Sequence, residues 1–235
     1  MANYTSQRCL GLVGGLGVGA AIHYYRELAR AHEARGSVLR LVMVHADMSH
    51  GLAFVRAGER MKLAQYLAEL IGRLRAAGGE VAVIPAVTPH ICAPELTEIS
   101  PLPLINILTA TDEALAARAL RRVAVFGTRF SIETGLFGQI TRAEIVRPQP
   151  AEIDLIHTIY MHLAESGTGS DVERQELSAL ARRLIDRDHL DGIILAGTDL
   201  SMIFEERNTD FPHIDCSRVH IEAIMAQLFA ESEPS

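Results

Sequence analysis

No apolar run in this 235-residue sequence approaches the roughly 20 residues that span a bilayer, so no membrane segment is expected. A basic surplus is also lacking. Lysine and arginine number 22 against 29 aspartates and glutamates, a formal charge of −7, whereas phosphate binding needs a cationic face. The adjacent pairs Arg121-Arg122 and Arg182-Arg183 are too short to supply one and read as solvated helix faces. Cysteine is sparse: Cys9, Cys92 and Cys216 are odd in number and at no metal-like spacing. That argues against a disulfide framework or a zinc site and suits free thiols in a reducing compartment. The first residues, Met1-Ala2-Asn3-Tyr4-Thr5-Ser6, lack the basic-then-apolar pattern of a signal peptide. The expectation is a cytoplasmic protein with no nucleic-acid or membrane partner.

What the sequence does contain is alternation. Short runs rich in Val, Ile and Leu occur at Cys9–Val13, Leu39–Val44, Val81–Ile84, Leu102–Ile107, Val123–Phe126, Glu144–Val146 and Gly192–Leu195. Their hydrophobicity is continuous rather than alternating, as in parallel strands covered on both faces. Between them lie helical stripes, Leu63/Leu67/Leu70/Leu74 and Val172/Leu177/Leu180/Leu184. Strand–helix alternation of this kind predicts an α/β fold.

The pattern also repeats. A strand runs into a glycine turn at Gly11-Leu12-Val13-Gly14-Gly15 and again at Val123-Ala124-Val125-Phe126-Gly127-Thr128. A later strand then ends in a small residue and threonine, at Ala86-Val87-Thr88 and at Ala196-Gly197-Thr198. The intervals are 72 positions (Gly14 to Ala86) and 70 positions (Gly127 to Gly197). Two similar halves are therefore expected, each a mostly parallel sheet flanked by helices. They are expected to be pseudo-two-fold related, with a cleft between their strand ends where open α/β sheets take ligands. The first half comprises residues 1–107 plus 213–235, the second residues 108–212.

Several residues could carry chemistry. Gly15-Leu16-Gly17-Val18-Gly19-Ala20 fits a G-x-G-x-x-A phosphate turn. However, Asp47, its candidate ribose acid, lies 32 residues after Gly15, where about 20 is usual. A small-carboxylate site or simple tight packing are the alternatives. Thr88 and Thr198 offer hydroxyls at strand ends, and their other reading is as helix N-caps. Among ten histidines, His45, His90, His213 and His220 fall at strand ends or helix starts, with His90 the first choice for proton transfer and packing its alternative. A carboxylate such as Asp199 or Asp215 in a first helical turn meets the dipole favourably without further function. Cys216 at the start of the last helix is expected to have a lowered pKa, or else to be a packed, inert thiol.

At these residues the sequence resembles the aspartate/glutamate racemase family. Gly11-Leu12-Val13-Gly14-Gly15 with Tyr24-Tyr25-Arg26 is similar to the family opening, and His45-Ala46-Asp47-Met48 with Arg56-Ala57-Gly58-Glu59 to its second strand and loop. Phe126-Gly127-Thr128-Arg129-Phe130-Ser131, with Glu133 following, resembles the central Gly-Thr-Arg-Tyr/Phe-Thr/Ser marker. Asp215-Cys216-Ser217-Arg218-Val219-His220-Ile221-Glu222 resembles the closing Asp-Thr-Thr-Arg-Ile-His-Ala-Glu. The resemblance implies a final helix packed on the first half, a small carboxylate as ligand, no cofactor and no metal, and a homodimer.

Family members move protons with two cysteines, one in Cys-Asn-Thr-x-His and one in Gly-Cys-Thr-Glu. Here those motifs read Ala86-Val87-Thr88-Pro89-His90 and Ala196-Gly197-Thr198-Asp199. Both thiol positions, Ala86 and Gly197, are empty. The ligand-holding set is retained as Gly15, Thr88, Thr128 and Thr198, and any acid or base must come from His90, Asp47, Asp199, Glu133 or Cys216. Valine for asparagine predicts a ligand less polar than aspartate or glutamate. Three readings follow: an enzyme of altered chemistry (hydrolase, lyase, decarboxylase or non-thiol isomerase), a racemase of unfamiliar mechanism, or a non-catalytic carboxylate-binding or regulatory protein.

Overall fold

The computed structural model describes residues 8–166, 168–205 and 207–230. These divide into two compact units, residues 8–106 with 220–230 and the described residues of 107–219. The first unit runs β1 (Leu10–Gly14), α1 (Val18–Ala34), β2 (Leu41–His45), α2 (Met48–Ala57), α3 (Arg60–Ala76), β3 (Val81–Val83), α4 (Ala93–Ile99) and β4 (Leu104–Ile105). The second runs α5 (Ile107–Ala117), β5 (Arg122–Phe126), α6 (Arg129–Glu133), β6 (Glu144–Ile145), α7 (Pro150–Ser166), α8 (Asp171–Asp188), β7 (Gly192–Leu195) and β8 (His213–Asp215). The last helix, α9 (Cys216–Phe229), starts in the second unit and continues into the first.

Each unit holds one four-stranded sheet, and the two sheets have the same plan: β2-β1-β3-β4 and β6-β5-β7-β8. Every pairing is parallel. The duplication expected from the sequence is therefore present at the level of topology. The inner strands β1, β3 and β7 are buried along their whole length, which explains their unbroken apolar runs. Strand β2 lies at an edge and is only half covered, with Met43 exposed.

Helical periodicity supplies the layers. Leu63, Leu67, Leu70 and Leu74 of α3 are all buried in one cluster with Val13, Ala82 and Ile84. On the opposite side, Ile221, Ile224, Met225 and Leu228 of α9 pack with Leu10, Leu12, Tyr24, Val81 and Val83. Each such side chain contributes about 2 kcal/mol of burial at most, so α9 is fastened to the first unit by its apolar face. In the second unit, Leu177, Leu180 and Leu184 of α8 join Phe126, Ile193 and Leu195. Ser170 starts α8 with a capping box, accepting from the Glu173 amide at 3.2 Å while Glu173 accepts from the Ser170 amide at 2.8 Å.

Two sequence expectations need correction. Val172 is not part of the buried stripe; it is 64% exposed, because it lies in the first turn of α8, before the face meets the sheet. Residues 213–219 belong with the second unit rather than the first. His213–Asp215 form β8 and pair in parallel with β7, Ile194 opposite Ile214, so the chain leaves the second unit only within α9.

Candidate functional site

In the first unit, the carboxyl ends of β1, β2 and β3 bring together Gly15, Asp47 and Ala86-Val87-Thr88. Gly15 has a φ of +88°, and a side chain there would lie 2.8 Å from the Ala46 amide nitrogen. The glycine is required because two backbones meet, with a left-handed turn between them. Asp47 is exposed and caps α2, accepting from the His50 amide at 3.1 Å. The Tyr66 hydroxyl accepts from the Asp47 amide at 2.7 Å. Thr88 opens a 3-10 turn, Thr88–Cys92, whose N-cap is Val87 with no side-chain bond. Threonine is therefore not the cap, and its hydroxyl has no hydrogen-bond partner among the described residues. Ala86 is partly buried and packs against the core cluster of this unit, as do Leu16, Phe54 and Tyr66.

His90 lies inside the unit, 1% exposed. Its Nδ1–H donates to the Ala86 carbonyl at 2.8 Å, and burial depresses its pKa to about 4. His220 is beside it, ring centroids 6.4 Å apart. His220 Nε2–H donates to the Ile105 carbonyl at 2.9 Å while Nδ1 accepts from the Tyr24 hydroxyl at 3.0 Å. Burial, and then the neighbouring His90, push its pKa to about 3. His220 thereby ties β4 and α1 to α9, while His90 is a buried imidazole bonded to its own strand end.

In the second unit, Thr128 caps α6, accepting from the Ser131 amide at 3.1 Å. The next amide, Arg129, donates to His157 Nδ1 at 3.2 Å. Two of the amides at this helix start are thus satisfied by the protein's own side chains. Arg129 pairs with Asp154, and Glu133 with both Arg129 and Arg147, so Glu133 is engaged in ion pairs. Thr198 repeats the geometry of Thr88. It opens a 3-10 turn, Thr198–Met202, with Gly197 as N-cap and no side-chain bond, and its hydroxyl too has no partner among the described residues.

The position of Gly197 holds what sequence reasoning missed. A side chain built there would fall on the ring of Tyr160, 2.6 Å from its hydroxyl oxygen and 2.7 Å from Cζ. Tyr160 comes from α7 and donates its hydroxyl proton to Asp199 Oδ2 at 2.8 Å. Burial, with the adjacent Asp199 carboxylate adding to it, raises the phenol pKa well above its ordinary value. The phenol and carboxylate are 39 residues apart, so no local spacing links them. The only sequence signal was a glycine where a side chain was expected.

No thiol takes over. Cys216 is fully buried, accepts from the Thr111 hydroxyl at 3.4 Å, and burial pushes its pKa up to about 12. The expected lowering by the helix end is therefore overturned, since desolvation of the thiolate outweighs the dipole. Cys92 is likewise buried and pushed up to about 12, and burial also raises Cys9. Among the described residues no three His, Cys, Asp or Glu side chains gather as a metal site requires. None of the described helices is long and apolar enough to cross a membrane.

The sequence matches the family model for Asp/Glu/hydantoin racemases over residues 13–224. The chain belongs to this racemase family. A putative Asp/Glu racemase from Yersinia pestis has a similar structure (TM-score 0.83, 24% identity, 94% of this chain and 99% of that one). So does an aspartate racemase homologue from Pyrococcus horikoshii OT3 (TM-score 0.80, 19% identity, 94% and 99%). Arylmalonate decarboxylase shares the fold more distantly (TM-score 0.54, 13% identity, 95% and 94%). The racemase-family fold spans nearly all of this chain.

Proposed function

We propose that this racemase-family chain is an enzyme acting on a small carboxylic acid by one-sided proton delivery, of the decarboxylase or lyase class, without cysteine and without a cofactor. The observation that carries this reading is the pair of equivalently placed hydroxyls, Thr88 and Thr198. Each opens a 3-10 turn at a strand end without serving as its cap, and each stands two residues or fewer from a missing thiol. Buried polar groups are normally satisfied, and a half-buried hydroxyl left over at a strand end suits a carboxylate oxygen. Racemisation needs a proton acceptor and a donor on opposite faces of the reacting carbon. Of the two motif positions that carry cysteine in the family, one here holds alanine and the other adjoins a phenol–carboxylate pair, so a titrating group accompanies only one of them. Valine in place of the family's asparagine at Val87, in a unit where Leu16, Phe54, Tyr66 and Ala86 are only partly buried, favours a substrate whose remaining substituent is apolar or aromatic. Arylmalonate decarboxylase, which shares the fold, acts by name on a substrate of that kind.

The test uses phenylmalonate as probe. It should raise the melting temperature of the parent protein, since a ligand bound only to the folded state stabilises it by mass action. T88V and T198V should each reduce that rise. Aspartate should stabilise less than phenylmalonate. An equal rise in the parent and both variants would place the carboxylate elsewhere and sink the proposal.

A further inference from the structure

The position of Tyr160 carries more than the absence of a thiol. Gly197 has a φ of −164° and a ψ of 138°, extended backbone open to any residue. Glycine is therefore not required by its conformation. It is required by the Tyr160 ring, which occupies the place of a side chain at 197. The ring is fixed on α7 among the apolar side chains of the second unit, and its hydroxyl ends on Asp199 Oδ2, two residues past Gly197. The phenol thus occupies the space of a side chain at 197, the position that matches the family's second thiol by motif.

We infer that Tyr160 is the proton donor of this enzyme, taking the place of the second thiol, and that Asp199 positions its hydroxyl. This rests on the function proposed above. In the step, the bond between Cα and one carboxylate of a geminal diacid breaks, carbon dioxide leaves, and the electron pair remains on Cα, delocalised into the other carboxylate. The Tyr160 hydroxyl turns its proton from Asp199 to Cα and gives it there; the phenolate then takes a proton from water to restore the starting state, and the hydroxide left combines with the released carbon dioxide as bicarbonate. A carboxylate beside the phenol makes the phenolate costly, which keeps the donor protonated at neutral pH and drives its rapid reprotonation. The carbanion is the far stronger base, so transfer still runs toward carbon.

Two measurements test the inference, one of place and one of role. For place, the melting temperatures of G197A, Y160A and the double variant are compared. A glycine replaced by alanine in extended backbone normally stabilises slightly. Here G197A should lower the melting temperature by about 5 °C, through overpacking against the ring. In the Y160A background the same change should be neutral or stabilising. G197A as stable as the parent would overturn the placement.

For role, phenylmalonate turnover is followed by carbon dioxide release. Y160F, which keeps the ring and loses the hydroxyl, should lower kcat by about 10²–10⁴-fold with KM little changed. D199N should remain active and move the alkaline limb of the pH profile to lower pH, because the phenol loses its negative neighbour. An active parent with an unimpaired Y160F, or a D199N profile that does not move, removes the donor assignment alone. A parent that does not turn over phenylmalonate or any other substituted malonate removes the proposed function, and the donor assignment with it; the melting-temperature cycle then still reports on the packing.

Discussion

Lowering the pH from neutrality loads the first unit through two particular side chains, His90 and His220. Both are fully enclosed, and their rings lie 6.4 Å apart. Their folded-state pKa values are about 4 and about 3, against an ordinary 6.5. Because the folded values are depressed, the unfolded chain takes up protons first as the pH falls. Stability is fully present above about pH 6.5, declines below it, and has lost the whole contribution once the pH passes the folded pKa. Linkage between pH 7 and pH 5 then gives a loss of about 2 kcal/mol per histidine, about 4 kcal/mol for the pair if both stay neutral in the fold. His32, also buried, has its pKa lowered by burial and adds in the same direction. Carboxylates with depressed values, such as Glu152 and Asp188, act at lower pH, so the window above pH 5 isolates the imidazoles.

The assay is equilibrium urea unfolding at intervals between pH 8 and pH 5 for the parent and for H90N. Asparagine keeps an N–H for the Ala86 carbonyl and removes the titrating ring. The parent should lose several kcal/mol across the range, and H90N should show a shallower slope by about 2 kcal/mol. A parent curve flat from pH 7 to pH 5, or an H90N slope equal to the parent's, would refute the account of these histidines as buried neutral hydrogen-bonders.

Three further outcomes follow from particular contacts. Cys92 and Cys216 should resist a thiol reagent in the native protein at pH 8 and react only on unfolding, since both are buried and pushed up to about 12; rapid native labelling of either would contradict their placement. G15A should destabilise by roughly 2–4 kcal/mol, combining a positive φ with a clash on the Ala46 backbone, and a change below about 0.5 kcal/mol in urea unfolding would remove that steric argument. V172K should be nearly neutral, while L177A costs about 2–5 kcal/mol, because the first is exposed and the second fully buried; equal costs would mean the face of α8 is wrongly assigned.

The fold was largely legible in the chain because it depends on continuous properties. Seven strands announced themselves as apolar runs, and the repeated glycine-turn and small-Thr pattern anticipated two sheets of identical order. Strand β8 escaped because it is three residues with one apolar side chain, Ile214, defined by its partner β7 rather than by its own pattern. The site was less legible. Ala86 and Gly197 stand where the sequence motifs would put cysteine, but what occupies the space at Gly197 is decided by a side chain distant in sequence. Tyr160 reaches Gly197 from another element, and only three-dimensional packing reveals it. Cys216 misled for a related reason: its place at a helix start is local and visible, whereas the burial that raises its pKa is not. His90 likewise carries a motif position whose neighbour, His220, comes from the far end of the chain.

The central claim is that this racemase-family chain delivers a proton from one side without a thiol. The most direct measurement is a proton NMR time course in heavy water with the parent protein, aspartate, glutamate and phenylmalonate together. The account predicts that phenylmalonate loses carbon dioxide and gains deuterium at Cα, while both amino acids keep their α-protons over the same period. Rapid loss of the aspartate or glutamate α-proton signal, with phenylmalonate untouched, would contradict it.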